Sequence, residues 1–232
     1  FKMPNQQMGR KHLGRKIMKS TLSQFQNIGV IQAELSNDEL APIWEEVNKI
    51  KESFSLAETY NHKLVGNLEK EYKLRECKNY IAQMLAPIIV KYEENVNMEF
   101  FSTLSHDSAI MLDSAWVNFQ KKHEFNPVHN HTGVYSFVIW LDIPYDTKDE
   151  QQSDPARHSN EPCAGNFSFL YTNSLGHITP FNIPCSKELN GTLLLFPAKM
   201  MHCVYPFYTS DDYRITVSGN FSQTIITNRE KD

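Results

Sequence analysis

The stretch Pro127-Val-His-Asn-His-Thr-Gly-Val-Tyr-Ser-Phe-Val-Ile-Trp-Leu-Asp142 sets two histidines, one residue apart, directly before a short apolar run. The run is rich in β-branched and aromatic residues and lies between Gly133 and Pro144, the signature of a strand over 134–143. Along a strand, residues i and i+2 share a face, so His129 and His131 can aim their imidazoles at one point. Five more runs of the same texture surround it, at 109–120, 166–172, 191–197, 201–206 and 212–223, separated by Gly, Pro and Asn. Short strands punctuated in this way predict a β-sandwich, barrel or jelly roll. The polar stretch from Tyr145 to Gly165 reads either as a lid or as a mobile loop.

Upstream the period changes. Ser36-x-x-Glu39 is a capping box and Pro42 fits a first helical turn. Leu40, Ile43, Trp44, Val47 and Ile50 then recur at three- and four-residue steps, which predicts a helix over 40–53. A second helix is expected over 68–92, with Cys77, Ile81, Met84, Leu85, Ile88 and Tyr92 on its buried face and a kink or break at Pro87. The organisation expected is a basic arm (1–35), a helical packing region (36–100) and a β core (101–232), together one domain. The fold class is therefore mainly β with N-terminal helices (α+β).

Composition narrows the function classes. A chain of 232 residues can bury a core without staples, and 41% hydrophobic with 22% charged residues excludes disordered and collagen-like classes. No apolar run approaches the ~18 residues that a membrane-spanning helix needs, so no membrane partner is expected. The net charge is −4, but residues 1–33 hold six Lys or Arg and no acid, which leaves −10 on the rest. A body of that sign opposes phosphate, so nucleic acid is an unlikely partner except through the basic arm. Cys77, Cys163, Cys185 and Cys203 form no C-x-x-C pair and read as reduced thiols of a cytoplasmic protein. No sequence feature encodes an oligomeric state.

The chemistry concentrates in the β region. His202 follows Gly191-Thr-Leu-Leu-Leu-Phe-Pro197, and three neutral imidazoles (His129, His131, His202) make a site for a divalent transition metal. Twelve residues on, Arg214, Thr216, Ser218 and Asn220 alternate with Ile215, Val217, Gly219 and Phe221, so the polar set lines one face of a strand. The planar fork of Arg214 suits a carboxylate, and the Thr216 hydroxyl can add a donor. On residues alone, this is a metal site beside a carboxylate site.

The order H-x-H, then G-x-L-L-L-F-P, then His, then Arg-x-Thr resembles the Fe(II)- and 2-oxoglutarate-dependent oxygenases, in their prolyl-4-hydroxylase-like branch. Trp116-Val-Asn118, Pro127 through His131, Tyr135 through Leu141, Gly191 through Pro197, His202 and Arg214 through Asn220 carry the likeness, from about Ser114 to Phe221. The resemblance implies a double-stranded β-helix, a cupin-like jelly-roll barrel with helices packed outside. It implies Fe(II) on His129, His131 and His202, with 2-oxoglutarate and O2 as cosubstrates. Arg214 matches the base that pairs with the distal carboxylate of 2-oxoglutarate, and Thr216 matches its hydroxyl helper. Asn118, Ser136 and Trp140 match positions around the cosubstrate. The activity implied is hydroxylation of a C–H bond of a protein, peptide or small molecule, releasing succinate and CO2. The family usually has Asp or Glu two residues after its first histidine. This chain has His131 there, which makes the ligand set more positive by one charge.

Two other readings stay open. A cupin-type three-His metal dioxygenase or isomerase would need no 2-oxoglutarate and would not require Arg214-x-Thr216. A degenerate, non-enzymatic barrel used for binding would hold no metal at all.

Overall fold

The computed structural model describes residues 28–96 and 108–225. Most of the basic arm and the ends of the expected helical and β regions fall outside these residues. Ten strands are formed: β1 (Ile31–Glu34), β2 (Glu71–Lys73), β3 (Ser108–Gln120), β4 (Asn126–His129), β5 (Tyr135–Asp142), β6 (Phe167–Thr172), β7 (Ile178–Ile183), β8 (Thr192–Pro197), β9 (Met201–Val204) and β10 (Arg214–Ile225). They make a six-stranded sheet, β1-β8-β5-β10-β3-β2, and a four-stranded sheet, β4-β9-β6-β7. From β3 onward the chain crosses between the sheets, laying β3 on one side of β10 and β5 and β8 on the other. This winding of eight antiparallel strands is the double-stranded β-helix, or jelly roll.

The apolar runs are continuous because the large sheet is buried on both faces. On β5, Tyr135, Phe137, Ile139 and Leu141 pack toward the helices, with Leu193, Leu195, Ile215 and Val217 beside them. Val138 and Trp140 point the other way, onto Phe167, Phe169 and Phe196 between the sheets. The helices α1 (Asn37–Glu52) and α2 (Lys78–Val96) close the outer face through Ile43, Val47, Ile81, Leu85 and Tyr92.

The helical segment differs from its sequence reading in three places. First, α1 starts at Asn37, behind the expected capping box: Glu39 N–H donates to Ser36 Oγ at 3.3 Å and Ser36 N–H to Glu39 Oε2 at 2.8 Å. Pro42 therefore sits inside the helix and not in its first turn. Second, residues 71–73 are strand and α2 begins only at Lys78. The start is set by Glu46, a buried residue of α1 that accepts from Arg75 N–H at 2.7 Å and Cys77 N–H at 2.9 Å. Burial pushes the Glu46 carboxyl up, but these backbone donors outweigh it and hold the group below the usual carboxylate range. Third, α2 runs through Pro87 without a break. Pro87 and Gln83, the residue whose carbonyl loses its partner, are both exposed, so water takes the place of the missing N–H. Four strands also lie outside the expected runs: β1, inside the expected arm, pairs with β8, β2 pairs with β3, β4 pairs with β9 and β7 pairs with β6.

Candidate metal and cosubstrate site

The three histidines come together at one end of the barrel. β4 pairs with β9 so that His129 stands opposite His202. His131 lies just past the end of β4, on a turn fixed by its N–H donating to Ala198 O at 2.8 Å. Convergence thus comes from a strand and the following turn, not from two positions on one strand. The ring centroids are 4.2 to 5.0 Å apart, and one ligand atom from each residue lies within 4.8 Å of the others. No Asp, Glu or Cys joins the cluster among the described residues.

The tautomers are set by backbone carbonyls, which can only accept. Nδ1–H of His129 donates to Pro127 O at 2.7 Å, and Nδ1–H of His202 to Met200 O at 2.9 Å. In both rings the Nε2 lone pair is therefore free to bind a metal. Nε2 of His131 and Nε2 of His202 are 3.2 Å apart. Two imidazoles at right angles on a metal, each about 2.1 Å from it, would stand about 3.0 Å apart. Burial, and then the neighbouring imidazoles, bring His202 down to about 3, and burial with His129 beside it brings His131 down to about 4. Phe167 stacks on His202 at 5.4 Å with Phe196 edge-on at 5.1 Å, which supplies that apolar wall. Three neutral nitrogen donors with aligned lone pairs fit Fe(II).

Arg214 begins β10 and is almost fully buried. Its Nη1 donates to Tyr145 Oη at 2.6 Å and Gly165 O at 2.9 Å, and its Nη2 to Gln120 Oε1. Every partner is neutral, and among the described residues no carboxylate pairs with it. A buried guanidinium held by neutral acceptors keeps its full charge uncompensated, which is the condition a 2-oxoglutarate carboxylate would relieve.

The other residues expected at the site fall as follows. Asn118 and Thr216 are register partners across β3 and β10, and Asn118 Nδ2 donates to Thr216 Oγ1 at 3.1 Å. Thr216 in turn lies opposite Trp140 on β5. All three line a cavity of about 430 Å³ together with His129, His131, His202 and Arg214. Ser136 stands behind that lining: its Oγ donates to Asn220 Oδ1 at 2.7 Å, and Asn220 faces the cavity.

Sequence reasoning missed the residues that hold Arg214. Gln120 lies opposite it on β3, at the same two-residue step as Asn118 and Thr216, so the alternation could have found it. Tyr145 and Gly165 bracket the stretch read as a lid or mobile loop, and both contact Arg214. Between them α3 (Thr147–Gln152) carries Glu150, fully buried, which accepts from Tyr208 N–H and Thr209 N–H, each at 2.8 Å. The segment is therefore pinned at its base. Glu150→Ala leaves those backbone donors without partners and is expected to cost about 2–3 kcal/mol, read as a lower urea midpoint. Unchanged stability would show that the pin is unimportant.

Residues 114–220 match the family model described as "Putative 2OG-Fe(II) oxygenase". Among solved structures, the chain is similar to AviO1 from Streptomyces viridochromogenes Tue57, at 11% identity over 88% of this chain and 96% of that one, with a TM-score of 0.51. It is also similar to a Pseudomonas putida prolyl-4-hydroxylase, at 15% identity over 84% and 93%, with a TM-score of 0.49. A prolyl hydroxylase from Trichoplax adhaerens, solved with a hypoxia inducible factor peptide fragment, matches at 13% identity over 84% and 83%, with a TM-score of 0.46. No curated protein matches the chain. At these identities the structures speak to fold alone, and AviO1 supports the barrel. The segment matched by the family model runs from β3 to β10 and contains the three histidines and Arg214; over this segment the chain is similar to the 2OG-Fe(II) oxygenases, whose chemistry uses Fe(II), 2-oxoglutarate and O2.

Proposed function

We propose that this protein is a hydroxylase of the prolyl-4-hydroxylase-like branch, acting on a C–H bond of a peptide or small molecule. The observation that carries the reading is a buried, acid-free Arg214 lining the same cavity as three neutral, converging imidazoles. His129, His131 and His202 hold the metal. Arg214 takes the distal carboxylate of 2-oxoglutarate and Thr216 donates its hydroxyl to it, while Asn118 orients Thr216 through their hydrogen bond. Bound Fe(II) supplies the O2-dependent oxidation, in which 2-oxoglutarate leaves as succinate and CO2 and the substrate gains one oxygen. The protein's part is to fix both ends of the cosubstrate and to keep water from the reacting face, which Trp116, Trp140, Phe167 and Phe196 line. The helical packing region and the barrel act as one domain. The four unpaired cysteines support a cytoplasmic location.

The test is an anaerobic titration with Fe(II) and 2-oxoglutarate, followed by visible absorption. A saturable metal-to-ligand charge-transfer band that needs both components is the expected result. Tight metal binding with no band would move the assignment to a cupin-type three-His reaction independent of 2-oxoglutarate, and no metal uptake would leave a binding barrel.

A further inference from the structure

Four buried side-chain oxygen atoms lack a hydrogen-bond partner among the described residues: Glu71 Oε2, Asn118 Oδ1, Asn126 Oδ1 and Asn166 Oδ1. The first three belong to side chains that line the histidine cavity. Glu71 is 1% exposed and lies on β2, directly opposite Asn118 of β3. Asn126 starts β4. Its Oδ1 and Glu71 Oε1 converge on Gly66, where a Cβ would meet them at 2.4 and 3.0 Å. Each buried acceptor left unmade costs on the order of 1–3 kcal/mol, so three around one cavity do not arise from packing needs. The core on this side is already supplied by Tyr72 and Val117, which face the helices.

We propose that Glu71, with the amide oxygens of Asn118 and Asn126, forms a subsite for a cationic nitrogen group, an amine or guanidinium, of the molecule this oxygenase acts on. The proposal rests on the oxygenase reading above and specifies its substrate class. All three side chains present acceptors, and an ammonium offers three N–H donors and a guanidinium five. The fixed positive group of the cavity, Arg214, stands two strands away on the same sheet face and one inward row further along. The cavity therefore has one pole for a carboxylate and another for a cation. Burial, with Glu124 nearby, pushes the Glu71 carboxyl up to about 8, and an arriving cation would favour its anion. Lys63, the other basic residue of the lining, is exposed.

The experiment is calorimetric titration of the full-length, metal-free protein with n-butylguanidinium and n-butylammonium, with n-butylurea as the neutral match. At least one cation is expected to bind tenfold or more tightly than the urea. Glu71→Gln should reduce that preference below threefold, and Asn126→Ala should weaken it by about threefold. Thermal melting checks the fold of both variants. The wild-type acid releases its proton on unfolding above about pH 4.5 and keeps it to about 8 when folded, so folding is penalised across that window. Glu71→Gln should accordingly melt higher than wild type at pH 8 and together with it at pH 4.5. No preference for cations, or a preference that survives Glu71→Gln, overturns the subsite and leaves three hydrated oxygens. The Fe(II)/2-oxoglutarate band is recorded on the same preparation. A band without cation preference removes the subsite alone, whereas cation preference without a band removes the oxygenase reading and leaves an amine-binding cavity.

Discussion

Arg214→Ala should weaken 2-oxoglutarate binding by at least about 100-fold and leave Fe(II) uptake nearly unchanged. The magnitude follows from the loss of a buried, charge-assisted contact, for which about 2–5 kcal/mol is typical. The metal should be spared because its proposed ligands lie elsewhere: His129 and His202 are on the small sheet and His131 is on the turn beside Ala198, whereas Arg214 begins a strand of the large sheet. The variant also removes the guanidinium donor from Tyr145 Oη and Gln120 Oε1, while Gly165 O keeps the Tyr145 hydroxyl. Removing an uncompensated buried charge offsets part of that cost, so the melting temperature should fall by only a few degrees. Arg214→Lys keeps the charge but offers a single ammonium where the fork spans Tyr145 and Gln120. It should fall between wild type and alanine. The readout is the 2-oxoglutarate dissociation constant from the charge-transfer band, beside Fe(II) affinity measured without cosubstrate. An alanine variant that binds 2-oxoglutarate as wild type does would sink the assignment of Arg214.

The site was legible where chemistry-bearing residues recur at strand spacing on long strands. The alternation from Arg214 to Asn220 gave its inward face directly, and β10 runs the full barrel. The six expected runs all contain strands, because each packs at least one apolar face into a core. What escaped was short or at an edge. β7, at the edge of the small sheet, carries Pro180 and leaves Ile178 and Phe181 exposed, so its pattern is broken by the freedom an edge allows. β1 has four residues and β2 three, too few to show a period, and both take their structure from a neighbour far along the chain. Glu71 was invisible for the same reason. Nothing local separates it from the other acids of Glu69-Lys-Glu71, and only pairing with β3 buries it in the cavity.

His131 is the residue on which this chain departs from the usual carboxylate ligand, and His131→Ala should lower Fe(II) affinity by about 100-fold or more. A metal held by three neutral donors depends heavily on each, since no ligand charge compensates a loss. His131→Asp should recover part of that affinity, because the variant adds an anionic donor at the same turn, although its shorter side chain reaches less far than imidazole. Proton counting tests the state of the wild-type ligands. With His131 near 4 and His202 near 3, the imidazoles are neutral at pH 7, so Fe(II) uptake should release almost no protons when titrated in buffers of different ionisation enthalpy. The same shifts fix an acid dependence of the metal-free protein. An unfolded histidine takes up its proton near pH 6.5, whereas folded His131 does so only near 4, so stability falls as pH drops through that window. Losing the ring should remove about 3 kcal/mol of that fall. If His131→Ala binds Fe(II) as wild type does, His131 is a bystander and the site has only two protein ligands, whereas release of a full proton per histidine would show instead that the metal-free imidazoles are protonated at pH 7.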